Sequence, residues 1–173
     1  QIHQVHESAM SELFDKTWAT HCWTETDARE ANDMLQSVLV APNDLAVMIS
    51  AITLSLLRIF DAKKFKFLSE AYKHENLQVN QRAIVGMVIA LSKHEKRIGL
   101  YPELVSLLSL LCEDENFQKN LQTIQMQLLI SRETTKIDKK MREEIIPEMM
   151  KNAKQLNDPK FRFEETEDPE DRN

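Results

Sequence analysis

Three of the five histidines in this 173-residue chain are followed directly by glutamate, as His6-Glu7, His74-Glu75 and His94-Glu95. This is more often than the 18 glutamates of the chain would produce by chance. Imidazole nitrogen and carboxylate oxygen together are ligands that suit iron. The dipeptides therefore make a metal-dependent enzyme one class of function to weigh.

The spacing of the same dipeptides argues against a shared metal. His74 precedes a long predicted helix, and His94 lies near the end of that helix. Twenty helical residues at 1.5 Å each separate the two by about 30 Å, so they cannot bind one ion. His3 and His6 are three residues apart and can face one ion, but they supply only two ligands. We predict no metal site and no cofactor.

Two other groups of residues could support catalysis. His21-Cys22 places a thiol beside an imidazole, as in an activated nucleophile, but no third group to orient the pair is identifiable. Acidic residues cluster at 113–115, at 143–144 and at Glu148. None of them has neighbours that would raise a carboxyl pKa, as general acid catalysis requires. We predict no catalytic residue.

Glycine content excludes several enzyme classes and favours helices. The chain has only two glycines, Gly86 and Gly99, which cannot build a dinucleotide-binding loop, a P-loop or a nucleophile elbow. No Asn-Gly or Asp-Gly turn is present, so a hairpin-rich β fold is also disfavoured. The composition predicts an all-α protein.

Charge and cysteine content indicate which kinds of partner and which cellular compartment to expect. Residues 164–173 hold six acids and one base, so most of the formal charge of −6 is local and the rest of the chain is nearly neutral. A neutral body has no broad attraction for phosphate backbones, which disfavours nucleic acid. Two cysteines are too few for a disulfide framework and favour a reducing, cytoplasmic location. The sequence has no run of 18 apolar residues, so we predict no membrane-spanning helix.

Apolar spacing predicts the first two helices. An amphipathic stripe that includes Val5 and Trp18 indicates a helix over 2–20. Thr24 and Asp27 have the spacing of a capping box, which opens a second helix that we expect to run to about Val40. On that helix Met34, Leu35, Val38 and Leu39 are expected to supply the buried face.

Further start signals follow along the chain. Asn43 or Asp44 is expected to cap a helix over 45–60 that is apolar nearly all round and therefore buried on more than one side. Asp61 is expected to start a shorter helix.

An internal repeat is the most informative feature. Residues 75–80 recur as 115–120, a match that pairs Leu77 with Phe117, and a weaker match relates 49–54 to 84–89. Each long helix is followed by a predicted second helix, over 61–74, 102–112 and 137–155. Units of 35–40 residues with this pattern are typical of an α-solenoid.

The repeat resembles HEAT and armadillo-type helical repeats over residues 43–155, with 1–40 as a leading helical pair. The resemblance implies a domain over 1–156 with three to four helical hairpins and about eight helices, and 157–173 as an acidic, disordered tail. Tetratricopeptide arrays are an alternative, although their Trp-x-x-Leu-Gly-x-x-Tyr pattern is absent. A compact helical bundle is another.

A solenoid implies a non-catalytic protein–protein interaction or scaffold module within a longer chain, whose partner is a protein or the rest of that chain. One alternative is a metalloenzyme, because His-Glu pairs on a HEAT scaffold resemble the di-iron ligands of deoxyhypusine hydroxylase. Another is a regulatory domain that binds a small ligand.

The bases between Arg132 and Arg142, at a predicted helix–helix turn, could recognise an acidic partner or the tail. Met149-Met150 could serve an adaptable interface.

Overall fold

A computed structural model describes residues 2–147, apart from the side chains of Ile2, Ile137 and Ile145. The described residues are all-helical, with no strand, as the composition predicts. The helices are α1 (Ile2–Ala19), α2 (Glu25–Gln36), α3 (Pro42–Arg58), α4 (Ala62–Ala71), α5 (Leu77–Ile98), α6 (Pro102–Cys112) and α7 (Glu115–Lys140), and a π-helical turn (Met141–Ile145) follows α7. No helix in this part of the chain has the length and apolar character needed to cross a bilayer.

Side-chain caps begin several of the helices. The predicted capping box of α2 is confirmed, because Thr24 Oγ1 accepts from the Asp27 N–H and the Asp27 carboxylate accepts from the Thr24 N–H. Asp61 caps α4 by accepting from the Lys63 N–H at 2.7 Å, and Asn76 caps α5 in the same way. These side chains satisfy N–H groups that the first turn of a helix leaves without a partner.

The predicted end of α2 is wrong by about four residues. The helix stops at Gln36, and Ser37 adopts an extended conformation in which its hydroxyl accepts from the Leu39 N–H at 3.3 Å. A serine that bonds nearby backbone competes with helix continuation. As a consequence, Val38 and Leu39, which were expected on the buried face, are 97% and 91% exposed.

The predicted cap of α3 is also wrong. The N-cap is Ala41, which makes no side-chain bond, and Pro42 occupies the first turn. Proline suits this position because its fixed φ matches a helix and its missing N–H would have no partner there. The helix runs from Pro42 to Arg58 instead of over 45–60, and its expected burial on more than one side is confirmed.

The described residues divide into two units, one up to Gln125 and one from Met126 onward. In the first unit α3 packs between α1 and α5, while α2 packs on α4 and α4 packs on α5. Alternate helices are therefore neighbours. The core consists mainly of residues from α3, α4 and α5, with the largest fully buried apolar side chains at Phe65, Phe67, Leu45, Ile49, Ile52, Leu56, Leu68, Ile84 and Met87.

Gly86 lies where α5 packs closely against α3. A Cβ atom at this position would overlap with Thr53 Oγ1 and would lie 3.3 Å from a methyl group of Leu68. The hydroxyl of Thr53 is held by a bond to the Ile49 carbonyl at 2.8 Å. Gly86 is therefore required for the close approach of the two helices.

Helix α1 packs more loosely than its sequence predicts. Leu13 and Phe14 are half-buried, but Val5 and Trp18, which belong to the same predicted stripe, are exposed. The Trp18 ring lies against the guanidinium of Arg58, 5.7 Å from its centroid. The apolar stripe of the first helix is thus covered only near its middle.

The register of the predicted repeat differs from the structure. Leu77 is 70% exposed, whereas Phe117, its counterpart in the sequence match, is 2% exposed and packs edge-on against Tyr72. Val79 is the third residue of α5 and Phe117 is the third residue of α7, and both are buried. The structural correspondence between the two helix starts is therefore shifted by two residues from the sequence match.

The turn predicted near Arg132–Lys136 is absent, because α7 is one continuous helix from Glu115 to Lys140. No glycine or proline interrupts the sequence between Glu115 and Ile146. Residues 137–147 are helical, as predicted, but they continue α7 and its π-helical turn instead of starting a separate helix. The remainder of the helix predicted over 137–155, the domain limit at 156, Glu148, Met149-Met150 and the acidic tail lie outside the described residues.

Candidate functional site

Each histidine of the three His-Glu dipeptides makes a contact of its own. His6 Nε2 lies 3.2 Å from Asp44 Oδ1 in the first turn of α3. His74 Nδ1 accepts from the Asn76 N–H at 3.0 Å. His94 Nε2 donates to the Leu56 carbonyl at 2.6 Å.

The dipeptides do not converge. His74 precedes α5, and His94 lies near the end of that helix, so most of α5 separates the two. Across residues 2–147, no group of three or more His, Cys, Asp or Glu side chains is arranged to hold a metal ion. The glutamates beside His6 and His94 are exposed.

His94 takes part in the packing and capping of helices. It has non-helical dihedral angles (φ −121°, ψ 26°) and marks a kink in α5. Its ring packs against Phe60, with centroids 5.5 Å apart, and donates to a carbonyl in the last turn of α3. Such carbonyls have no partner within their own helix, so His94 caps the end of α3.

The thiol and imidazole of His21-Cys22 are both exposed. The backbone on either side is fixed, because the Trp23 N–H donates to Asp61 Oδ2 at 2.6 Å and the Ser55 hydroxyl donates to the Thr20 carbonyl at 3.2 Å. No hydrogen bond of the described residues orients the His21 ring. The loop is therefore anchored through its backbone.

A buried lysine that we did not predict anchors this loop. Lys64 has no exposed surface, and its ammonium donates to the carbonyls of Thr17 and Thr20 and, at 2.6 Å, to Ser55 Oγ. The two carbonyls belong to the end of α1, where the helix dipole favours a cation. All three protons of the ammonium thus have acceptors.

Burial lowers the pKa of Lys64 below its ordinary value, an effect that the nearby carboxylate of Asp61 opposes. A lysine of lowered pKa in a cleft is a candidate nucleophile. Lys64 is instead enclosed and fully bonded, so it clamps α1 to α3 and α4. Its spacing from Leu68 and Ala71 on the buried face of α4 is the signal that would have identified it.

The clustered charges of α7 pair with one another. Glu133 binds Lys136 at 2.7 Å, and Asp138 binds Arg142 at 3.2 Å. Asp114 accepts from the Asn116 N–H at 2.8 Å at the start of the helix. Three bases of the expected cluster, Lys136, Lys139 and Arg142, therefore have an acid one turn away, and these pairs support an exposed helix.

One surface of the first unit has the features of a binding site. Two adjoining grooves share His74 and Glu75. The first, about 640 Å³, lies between the α2–α3 loop and the end of α4, and Val38 lines it. The second, about 360 Å³, lies between the first turns of α5 and α7. We call these two grooves together the loop edge.

The loop edge combines exposed apolar side chains with amides. Leu77 lines the second groove, and Leu39 follows Val38 in the loop beside the first. The amides of the second groove come from α5 and α7: Asn80, Gln81, Asn116 and Asn120. Val38 and Leu39 were predicted as core residues. Three of the four amides lie within the repeated segments 75–80 and 115–120, and Gln81 directly follows the first of these.

A second exposed apolar surface lies on α6. Leu104 and Leu111 are buried, whereas Val105 and Leu110 are 43% and 65% exposed. Neither Val105 nor Leu110 lines a groove of the loop edge. The loop edge combines exposed apolar side chains with grooves, and we take it as the candidate site.

Comparison with protein families, with curated proteins and with solved structures finds no match for this chain. The HEAT-like resemblance therefore stays a prediction from the sequence.

Proposed function

We propose that this chain is a non-catalytic protein–protein interaction module of stacked, HEAT-like helical hairpins, and that the loop edge binds its partner. The observation behind the proposal is the near-complete exposure of Val38 and Leu39 beside a groove of about 640 Å³. No other valine or leucine of the described residues is more than 76% exposed. Adjacent apolar side chains left in water at a groove are typical of an interaction site.

The packing order of the first unit supports the solenoid part of the proposal. Helices α1, α3 and α5 pack in sequence, and α2 packs on α4. Contacts between alternate helices are what stacked hairpins produce. The same order brings the α2–α3 and α4–α5 loops to the two sides of one groove.

The contacts that the histidine and lysine side chains make within the molecule support a binding role over catalysis. The rings of His6, His74 and His94 make contacts within the molecule, and the Lys64 ammonium is enclosed. The free thiols of Cys22 and Cys112 are consistent with a reducing, cytoplasmic location.

A quantitative pull-down from lysate of the source cells tests the proposal. The baits are the wild type, the double variant Val38→Asp/Leu39→Asp, and Val5→Asp as a control for an exposed valine on α1. We expect a discrete protein that the wild type and Val5→Asp retain equally and that the double variant loses. Retention by all three baits, or by none, would overturn the proposal.

Metal analysis of the same pure protein tests the competing class of function. Iron or zinc at one or two equivalents would contradict a non-catalytic module and would favour a metalloenzyme with His-Glu ligands.

A further inference from the structure

The second groove of the loop edge is lined mainly by amide side chains. Asn80, Gln81 and Asn120 are half-buried, and Asn116 is exposed. The Asn80 amide nitrogen donates to the Tyr72 carbonyl, which caps the end of α4. The side chains of the other three make no hydrogen bond within the part of the chain that is described. Each of them therefore offers one acceptor and two donors to a ligand.

The spacing of these amides matches an extended peptide. Asn116 and Asn120 are four residues apart on α7, so they lie on one face about 6 Å apart along the helix axis. In an extended chain, backbone groups that point the same way recur every two residues, which is about 6.7 Å. Two amides at this separation can bind the N–H and C=O groups of residues j and j+2 of one strand.

Other ligand classes fit the groove less well. The nucleobases of a nucleic acid need aromatic side chains to stack on, and its phosphates need lysine or arginine side chains that are not already paired with acids. The lining has no tryptophan, tyrosine or phenylalanine, and its lysine, Lys119, is 3.6 Å from Glu115. A second copy of the chain would need about 800 Å² of contact on each side. Such an interface uses about 20–30 residues of each partner, whereas 16 residues line the two grooves of the loop edge.

We infer that the second groove binds an extended peptide segment of a partner protein, with Gln81, Asn116 and Asn120 bonded to its backbone and an apolar side chain against Leu77. This inference rests on the proposed interaction function and specifies its partner. Because the amides contact backbone groups, binding tolerates many peptide sequences that supply one apolar residue.

Selection from a phage-displayed library of random linear peptides tests the inference with the full chain as bait. We expect enriched peptides that share an apolar residue. The variant Asn116→Ala/Asn120→Ala should weaken their binding about tenfold or more, since it removes two hydrogen-bonding groups. The control Asn43→Ala, at an exposed asparagine in the first turn of α3, should leave the affinity unchanged.

Backbone recognition has its own test. Scanning N-methylation of an enriched peptide should abolish binding at two positions that are two residues apart. The inference fails if no peptide is enriched, if enriched peptides bind Asn116→Ala/Asn120→Ala as tightly as wild type, or if no N-methylation weakens binding. If such a failure accompanies a pull-down that still depends on Val38 and Leu39, the interaction function stands and only the peptide inference is lost.

Discussion

Lys64 Nζ donates to Ser55 Oγ at 2.6 Å, and both residues are buried where α3 and α4 meet the end of α1. We predict that Lys64→Met lowers the free energy of unfolding by about 1–3 kcal/mol, because it removes the side-chain donor to the Thr17 carbonyl and one of the two donors to the Thr20 carbonyl. Urea unfolding of both proteins measures the difference. Lys66→Met, at an exposed lysine of the same helix, is the control and should change stability little. Equal stability of Lys64→Met and wild type would contradict the clamp.

The lowered pKa of Lys64 predicts how the clamp depends on pH. In the unfolded chain the lysine keeps its ordinary pKa of 10.5, so between the lowered folded pKa and 10.5 the unfolded state binds more protons. Stability therefore rises with pH in that window. We expect the stability advantage of wild type over Lys64→Met to grow as the pH is raised toward 10.5. An advantage that shrinks over this window would show that the folded pKa is raised instead.

The contact between Gly86 and Thr53 predicts a rescue. Gly86→Ala should destabilise the protein by about 1–3 kcal/mol, because the new methyl group overlaps with Thr53 Oγ1. Removing that oxygen with Thr53→Ala should recover part of the loss in the double variant. Gly99→Ala meets no atom within 4 Å in a helical conformation and should be neutral or slightly stabilising. A double-mutant cycle with no coupling energy would contradict the close approach.

Continuity of α7 predicts the effect of a proline. Thr135→Pro should reduce helical circular dichroism and remove helical chemical shifts around residue 135, because proline breaks the bond to Ser131 and clashes with that turn. Thr135→Ala is the matched control and should preserve or increase helicity. If Thr135→Pro left both signals unchanged, the hairpin turn predicted from the repeat would be favoured over the continuous helix.

Much of the fold could be predicted because its signals are local. Thr24, Asp61 and the apolar run of α3 indicate helix starts and burial through neighbours in sequence. The errors arose where a competing interaction decided the outcome. Ser37 ended α2 early, and charge pairs such as Glu133–Lys136 supported a helix where the repeat predicted a turn.

The candidate site was less predictable than the fold. Sequence similarity paired Leu77 with Phe117, but only the packing of α5 and α7 shows that one is exposed and the other is buried. The grooves of the loop edge form between segments distant in sequence, such as Val38 and Lys73. The burial of Lys64 was not predicted because lysine is rarely fully buried, although its position lies on the buried face of α4.

Site-specific photocrosslinking tests most directly whether the loop edge binds a protein. A photoreactive phenylalanine analogue is placed at Val38 in the chain expressed in its source cells, and at Val5 in a separate control. We predict a discrete covalent adduct with another protein from position 38 that is missing from position 5. Adducts that are the same from both positions, or none from position 38, would contradict the interaction module.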